Sequence, residues 1–220
     1  MQLLTVGLAR SVWLFDINEL NPSGKSIFPD AFLWAADRYS FESFPKTIGD
    51  LDATSKGFLF KHGKFQAAEG SVSVNLSMFS DGFVAETWSS TEKSDAFMED
   101  LLRSAGTQYG LAKPYMIRKQ YVSEITVRFD NPLSKLSPMA MEFCKTLDHF
   151  FQKQNLPQFE LSGIGFSLDA SRNSYKPPAF IVERKIGVDF SQNSYWSKAP
   201  FPTKDHLAAL EKFEQMLRGD

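Results

Sequence analysis

The chain has 220 residues, 43% of them hydrophobic, with 24 basic against 26 acidic side chains and a formal net charge of −2. That is enough apolar surface for one large core or two small ones, and too little positive charge for a global field that would draw the whole chain onto a polyanion. Cys144 is the only cysteine, which excludes an intramolecular disulfide and every multi-thiolate metal motif.

Residues 12–17 read as a buried strand, and Asn21-Pro22-Ser23-Gly24 as a turn. Phe28, Phe32, Ala35 and Tyr39 then recur at helical spacing behind Pro29, a residue the first turn of a helix tolerates. The segments 57–61 and 64–67, on either side of His62-Gly63, read as the two arms of a hairpin. Next comes the clearest stretch of the chain. Val72, Val74, Leu76 and Met78 alternate with Ser71, Ser73, Asn75 and Ser77, so one face of this strand is apolar and the other polar. Ser80-Asp81-Gly82 supplies turn chemistry, and residues 83–88 return as the partner strand. Ser89 with Glu92 fits a capping box, with Ser94 as the alternative cap, before a helix whose stripe is Phe97, Leu101, Ala105 and Tyr109 and whose stop is Gly110.

In the second half, Tyr121, Ser123, Ile125, Val127 and Phe129 alternate as another one-sided strand. Ser137-Pro138 opens a helix in the favoured order of cap and N1 proline, with Met139, Phe143, Leu147, Phe150 and Phe151 as its expected buried stripe. Cys144 falls in this helix and reads as a structural thiol. Residues 159–168 and 180–186 read as strands, the first weakened by Gly163 and Gly165. Residues 188–202 read as a long irregular segment, and Thr203 caps a last helix facing inward through Leu207, Leu210, Phe213, Met216 and Leu217. Strands come in pairs rather than in strict alternation with helices. The expected class is therefore α+β: a mixed, largely antiparallel sheet built from hairpins, with about four amphipathic helices packed on it. The hydrophobic pattern does not change character along the chain, so residues 1–220 read as a single domain, with a sub-boundary, if any, at 130–137. No internal repeat is visible in the residues.

Catalytic signatures are absent from the sequence. Gly24-Lys25-Ser26 lies between a strand and a helix, as a phosphate-binding loop does, but the position five residues before Gly24 is Glu19, where that motif requires glycine. Asp16 and Glu19 follow the first strand, so Asp16, Glu19, Lys25 and Ser26 form the candidate ligand site of an alternative reading: a small-ligand or phosphate binder, or a metal-dependent hydrolase. His62, His149 and His206 have no metal-ligand spacing. Gly165-Phe166-Ser167-Leu168-Asp169 fails as a nucleophile elbow at its last position.

The segment 175–202 carries aromatic residues in irregular polar sequence, and such residues join large apolar area to a polar handle. Tyr175, Tyr195, Trp196 and Phe201 are accordingly the expected partner-binding residues. Arg172, Lys176, Arg184, Lys185 and Lys198 lie in the same half but are interrupted by Asp169, Glu183 and Asp189, so nucleic acid is not the expected partner. No apolar run is long enough to span a bilayer, and no basic region precedes the short apolar start, so neither a membrane nor a secretory signal is expected. Taken together, the residues read as a non-catalytic protein–protein interaction or assembly subunit of a cytoplasmic complex. Its expected partner is another protein or a second copy of the chain, and no cofactor or metal is expected.

Overall fold

The computed structural model describes residues 1–24, 28–46, 57–151, 159–169, 171 and 176–219. The fold is α+β. Eight strands form an antiparallel sheet in the order β2-β3-β4-β1-β5-β8-β7-β6, accompanied by four α-helices. The elements are β1 (Gln2–Leu14), α1 (Phe28–Arg38), β2 (Phe58–Ala67), β3 (Gly70–Phe79), β4 (Gly82–Thr87), α2 (Thr91–Tyr109), β5 (Arg118–Arg128), α3 (Pro138–Phe151), β6 (Gly163–Phe166), β7 (Phe180–Arg184), β8 (Ser194–Ala199) and α4 (Thr203–Arg218). Contacts divide the chain into an N-terminal unit, Val6–Ser123 with Phe201–Thr203, and a C-terminal unit, Met1–Thr5, Glu124–Pro200 and Lys204–Asp220.

The element order repeats. Each half of the chain runs strand, 3₁₀ turn, helix, three-strand meander, helix, and the strands of each half are ordered alike, β2-β3-β4-β1 and β6-β7-β8-β5. The residues hide this repeat because the order of elements, not residue identity, is what the two halves share.

In the N-terminal unit the apolar faces of β1, β3 and β4 meet α1 and α2. Trp13, Val74, Leu76, Met78, Phe83 and Ala85 pack with Phe32, Ala35, Phe97, Met98 and Leu101 in one core. Phenylalanine dominates it, as the composition suggests: the Phe97 ring lies 4.9 Å from Tyr39 and 5.7 Å from Phe65, both edge-on. The α2 cap is neither of the two serines expected. Ser90 holds the extended cap conformation and accepts from the Lys93 N–H, whereas buried Ser94 donates to the Ala9 carbonyl at 2.8 Å and ties the helix to β1. Gly110 ends α2 in the left-handed conformation, as expected.

Two further local expectations fail here. His62-Gly63 is no hairpin turn but a bulge within the single strand β2, where the pairing with β3 shifts between Phe60 and Gly63. His62 takes φ 57° with its N–H on Asn75 Oδ1, and a Cβ at Gly63 would collide with the Phe41 ring. The first strand also ends earlier than expected, at Leu14, and residues 17–20 form a 3₁₀ turn.

In the C-terminal unit, Phe129 sits 5.0 Å from Tyr195 and 5.8 Å from Phe213, and Val127, Val182 and Leu210 are also buried. Residues 194–199, expected to be irregular, form β8. The inward positions are Tyr195, Ser197 and Ala199, all buried. Two of those three are small, so the segment lacks the apolar alternation that marks a strand. Three residues of the stripe expected to anchor α3 face outward instead, Leu147 is half-buried, and the Phe151 side chain lies outside the described residues. Met139, Phe143 and Phe150 are 83%, 62% and 74% exposed, while Cys144 on the opposite side is buried. Periodicity establishes that a helix has an apolar stripe but not which face the rest of the unit covers.

Candidate functional site

In the N-terminal unit all the buried strand side chains lie on the helix side of the sheet. The register identifies what lies on the other. Asn75 of β3, Glu86 of β4 and Arg10 of β1 form one cross-strand row, and Ser77, Val84 and Val12 the next. On β2, Lys64 pairs with Ser73 and Leu59 with Ser77. The alternation of β1 adds Val6, Leu8 and Leu14, and that of β5 adds Arg118, Gln120 and Val122. No described helix packs on this open face. Apolar side chains of β1 and Val84 lie at its centre on either side of the Arg10–Glu86 pair, which crosses the face between Val12 and Leu8. Short hydroxyl and amide side chains on β3 flank that centre, and Lys64 and Arg118 lie on strands farther out.

Trp88, one residue past β4, continues the same alternation and is 46% exposed. A tryptophan on an uncovered sheet face offers a large flat apolar surface that the core does not use. Arg10 donates from Nε and Nη2 to Glu86 Oε1 at 2.8 and 2.5 Å, so its charge is neutralised in place. The corresponding face of the C-terminal unit differs in charge: Lys198 pairs with Glu124 at 3.0 Å, and Glu183 stands opposite Trp196 in the β7–β8 register.

On the helix side of the N-terminal unit two acids of α2 are engaged with neighbouring elements. Asp95 of α2 accepts from Trp13 Nε1 (2.8 Å), Lys119 Nζ (3.1 Å) and the Tyr121 hydroxyl (2.9 Å). Burial first, and then Asp95, push the Tyr121 phenol up beyond its ordinary range. Asp100 likewise takes the Tyr39 hydroxyl at 2.7 Å and the Arg38 guanidinium at 3.0 Å. Both acids pin helix α2 to its neighbours.

One serine–histidine pair is present. Ser197 Oγ and His206 Nε2 are 2.8 Å apart, both residues wholly buried. The hydroxyl donates its one proton to the Ile181 carbonyl at 2.7 Å, so the imidazole must donate to the serine. A histidine carrying its proton on that nitrogen cannot activate the serine, and burial lowers its pKa to about 4. The pair is structural.

Of the residues singled out from the sequence, Asp16 uses Oδ1 to accept from the Asn18 backbone and side-chain amides, capping the 3₁₀ turn. Glu19 accepts from the Tyr115 N–H at 2.8 Å. Lys25, Ser26 and Tyr175 lie outside the described residues. Tyr195 is wholly buried, its hydroxyl accepting from the Leu133 N–H, while Trp196 points to the opposite face of β8 and is half-buried. Phe201 belongs to the N-terminal unit. Trp88, Lys64 and Arg118 were not singled out, although the alternation of residues 83–88 already assigns Trp88 to the polar side of its strand.

Among the described residues no group of three or more His, Cys, Asp or Glu side chains could hold a metal ion, and no helix is long and apolar enough to cross a membrane. No protein-family model matches the chain, and no curated protein matches it. Among solved structures it is similar to Methanococcus jannaschii TBP, at 12% identity and a TM-score of 0.45, over 100% of this chain and 98% of that one. That finding overturns two expectations drawn from the residues: the non-catalytic assembly subunit, with another protein or a second copy as its partner, and nucleic acid as an unlikely partner. Both are withdrawn. A likeness at this level assigns no activity to the chain.

Proposed function

We propose that the chain binds single-stranded nucleic acid across the open face of its N-terminal unit. The observation that carries this reading is Trp88, 46% exposed on a sheet face that no described helix covers. Bases present flat apolar faces and hydrogen-bonding edges, and strand-tolerant binders meet them with exposed aromatics and a polar, positively charged surround. Trp88 and the apolar side chains of Leu8, Val12 and Val84 supply the first requirement. Ser73, Asn75 and Ser77 supply the second, and Lys64 and Arg118 meet phosphates. Glu86 already neutralises Arg10, so about two charges remain for the backbone. The affinity therefore rests on stacking more than on counterion release, with a slope of log K against log salt of about −1.4. Glu183 disfavours the same role for the open face of the C-terminal unit, where Lys198 is already neutralised by Glu124. A cytoplasmic location, where a lone thiol stays reduced, belongs to the same proposal.

Fluorescence anisotropy with labelled single-stranded and duplex oligonucleotides tests this. Preferential binding of the single strand, weakened by Trp88→Ala and little affected by Trp196→Ala, supports the reading. Equal binding by Trp88→Ala, or no binding at low salt, overturns it.

A further inference from the structure

A cleft of ≈ 1230 Å³ opens in the C-terminal unit between α3 and the segment joining β7 to β8. Pockets that hold small molecules run from about 300 to 1,000 Å³, so this one has room for a ligand. At its wall stands Arg184, whose side chain is 6% exposed. The guanidinium lies 3.9 Å from the Phe190 ring centroid and donates to the Phe190 carbonyl at 2.9 Å and to Glu160 Oε2 at 2.8 Å. Its charge and geometry are thus committed inside the protein. Lys145, the other basic residue of the lining, pairs with Glu142 at 2.9 Å, with both side chains largely exposed.

Two carboxylates of the lining remain. Asp148 accepts the Phe159 N–H at 2.6 Å and Asp189 accepts the N–H and hydroxyl of Ser191, each through Oδ1. Among the described residues neither Oδ2 has a donor. The Ser191 bonds also hold the Asp189 carboxyl below its usual range. The lining also carries the apolar side chains of Met141, Phe159 and Phe190 beside the polar Ser134, Ser191 and Asn193. An anion would meet three carboxylates against two cations that are already paired. A divalent metal would lack its ligand set, since no group of three ligating side chains exists among the described residues.

We propose that this cleft binds an aliphatic diamine or polyamine. Its ammonium groups pair with Asp148 and Asp189, and its hydrocarbon chain lies along Met141 and Phe159. The site is independent of the nucleic-acid reading and lies wholly within the other unit.

Isothermal titration of the full chain with spermidine, at low salt and without nucleic acid, tests it. The expected result is saturable binding, weakened tenfold or more by Asp189→Asn and by Asp148→Asn, with sodium hexanoate giving no saturable heat. Circular dichroism and thermal melting show whether each variant is folded. Should Asp148→Asn fail to fold, Asp189→Asn, on an exposed segment, carries the same expectation. The proposal is overturned if spermidine gives no saturable heat, if folded Asp189→Asn binds it as the parent does, or if hexanoate binds equally well.

Discussion

α1 and α3 occupy the same place in the element order of their units and end in opposite situations. Ala31, Phe32, Ala35, Ala36 and Tyr39 bury α1 in the phenylalanine core of the N-terminal unit. α3 buries Cys144 and turns Met139, Phe143 and Phe150 outward, above a cleft. One order of strands and helices thus yields a closed unit and an open one. The covered sides differ in side-chain size: aromatic rings fill the space under α1, whereas Met141 and Cys144 line an open cleft beside α3.

The largest expected effect breaks the closed unit. Phe97→Ala removes a wholly buried ring that contacts Tyr39 and Phe65 and should cost about 3–5 kcal/mol in urea denaturation. Phe143→Ala on exposed α3 should stay within about 0.5 kcal/mol. Equal losses would mean that α3 is not the open helix.

Acid should separate the units next. His206, in the C-terminal unit, has its pKa lowered by burial from 6.5 to about 4. The unfolded chain takes up its proton first as pH falls, so the stability that neutral His206 supports is complete above about pH 6.5. It drains away between there and about pH 4, by roughly 3 kcal/mol in all. His62, the histidine of the N-terminal unit, is exposed. Amide exchange followed against pH should show β8 and α4 loosening before β3 and β4, and His206→Gln should flatten the dependence. An unchanged acid limb in that variant would remove His206 from the account.

The two open faces give smaller effects. Trp88→Ala should weaken oligonucleotide binding by about 1–3 kcal/mol, the scale of one base stacked on an aromatic ring, while Trp196→Ala should leave it nearly unchanged. Smallest of all, Lys64→Ala should reduce the salt slope by about 0.7, the share of one phosphate contact on a single strand.

The sequence carried the order of elements well and their facing poorly. Strong alternation, as at Val72 to Met78, disclosed β3 and its polar side, and Gly110 marked the end of α2. β8 escaped because Ser197 and Ala199 occupy inward positions that hydrophobic patterning cannot register. The bulge at His62 resembled a turn because both need a residue of positive φ. α3 was legible as a helix, but its orientation depends on what lies beneath it, and local spacing holds no such information. The same limit concealed the candidate sites. Trp88 becomes notable only when no helix covers its face, and Asp148 and Asp189 are 41 positions apart in the chain.

Amide exchange of the full chain with and without a single-stranded oligonucleotide reads the open face of the N-terminal unit strand by strand. Added protection is expected in β1, β3 and β4 and none in β6 and β7. Protection confined to β6 and β7, or none anywhere at saturating oligonucleotide, would contradict binding at that face.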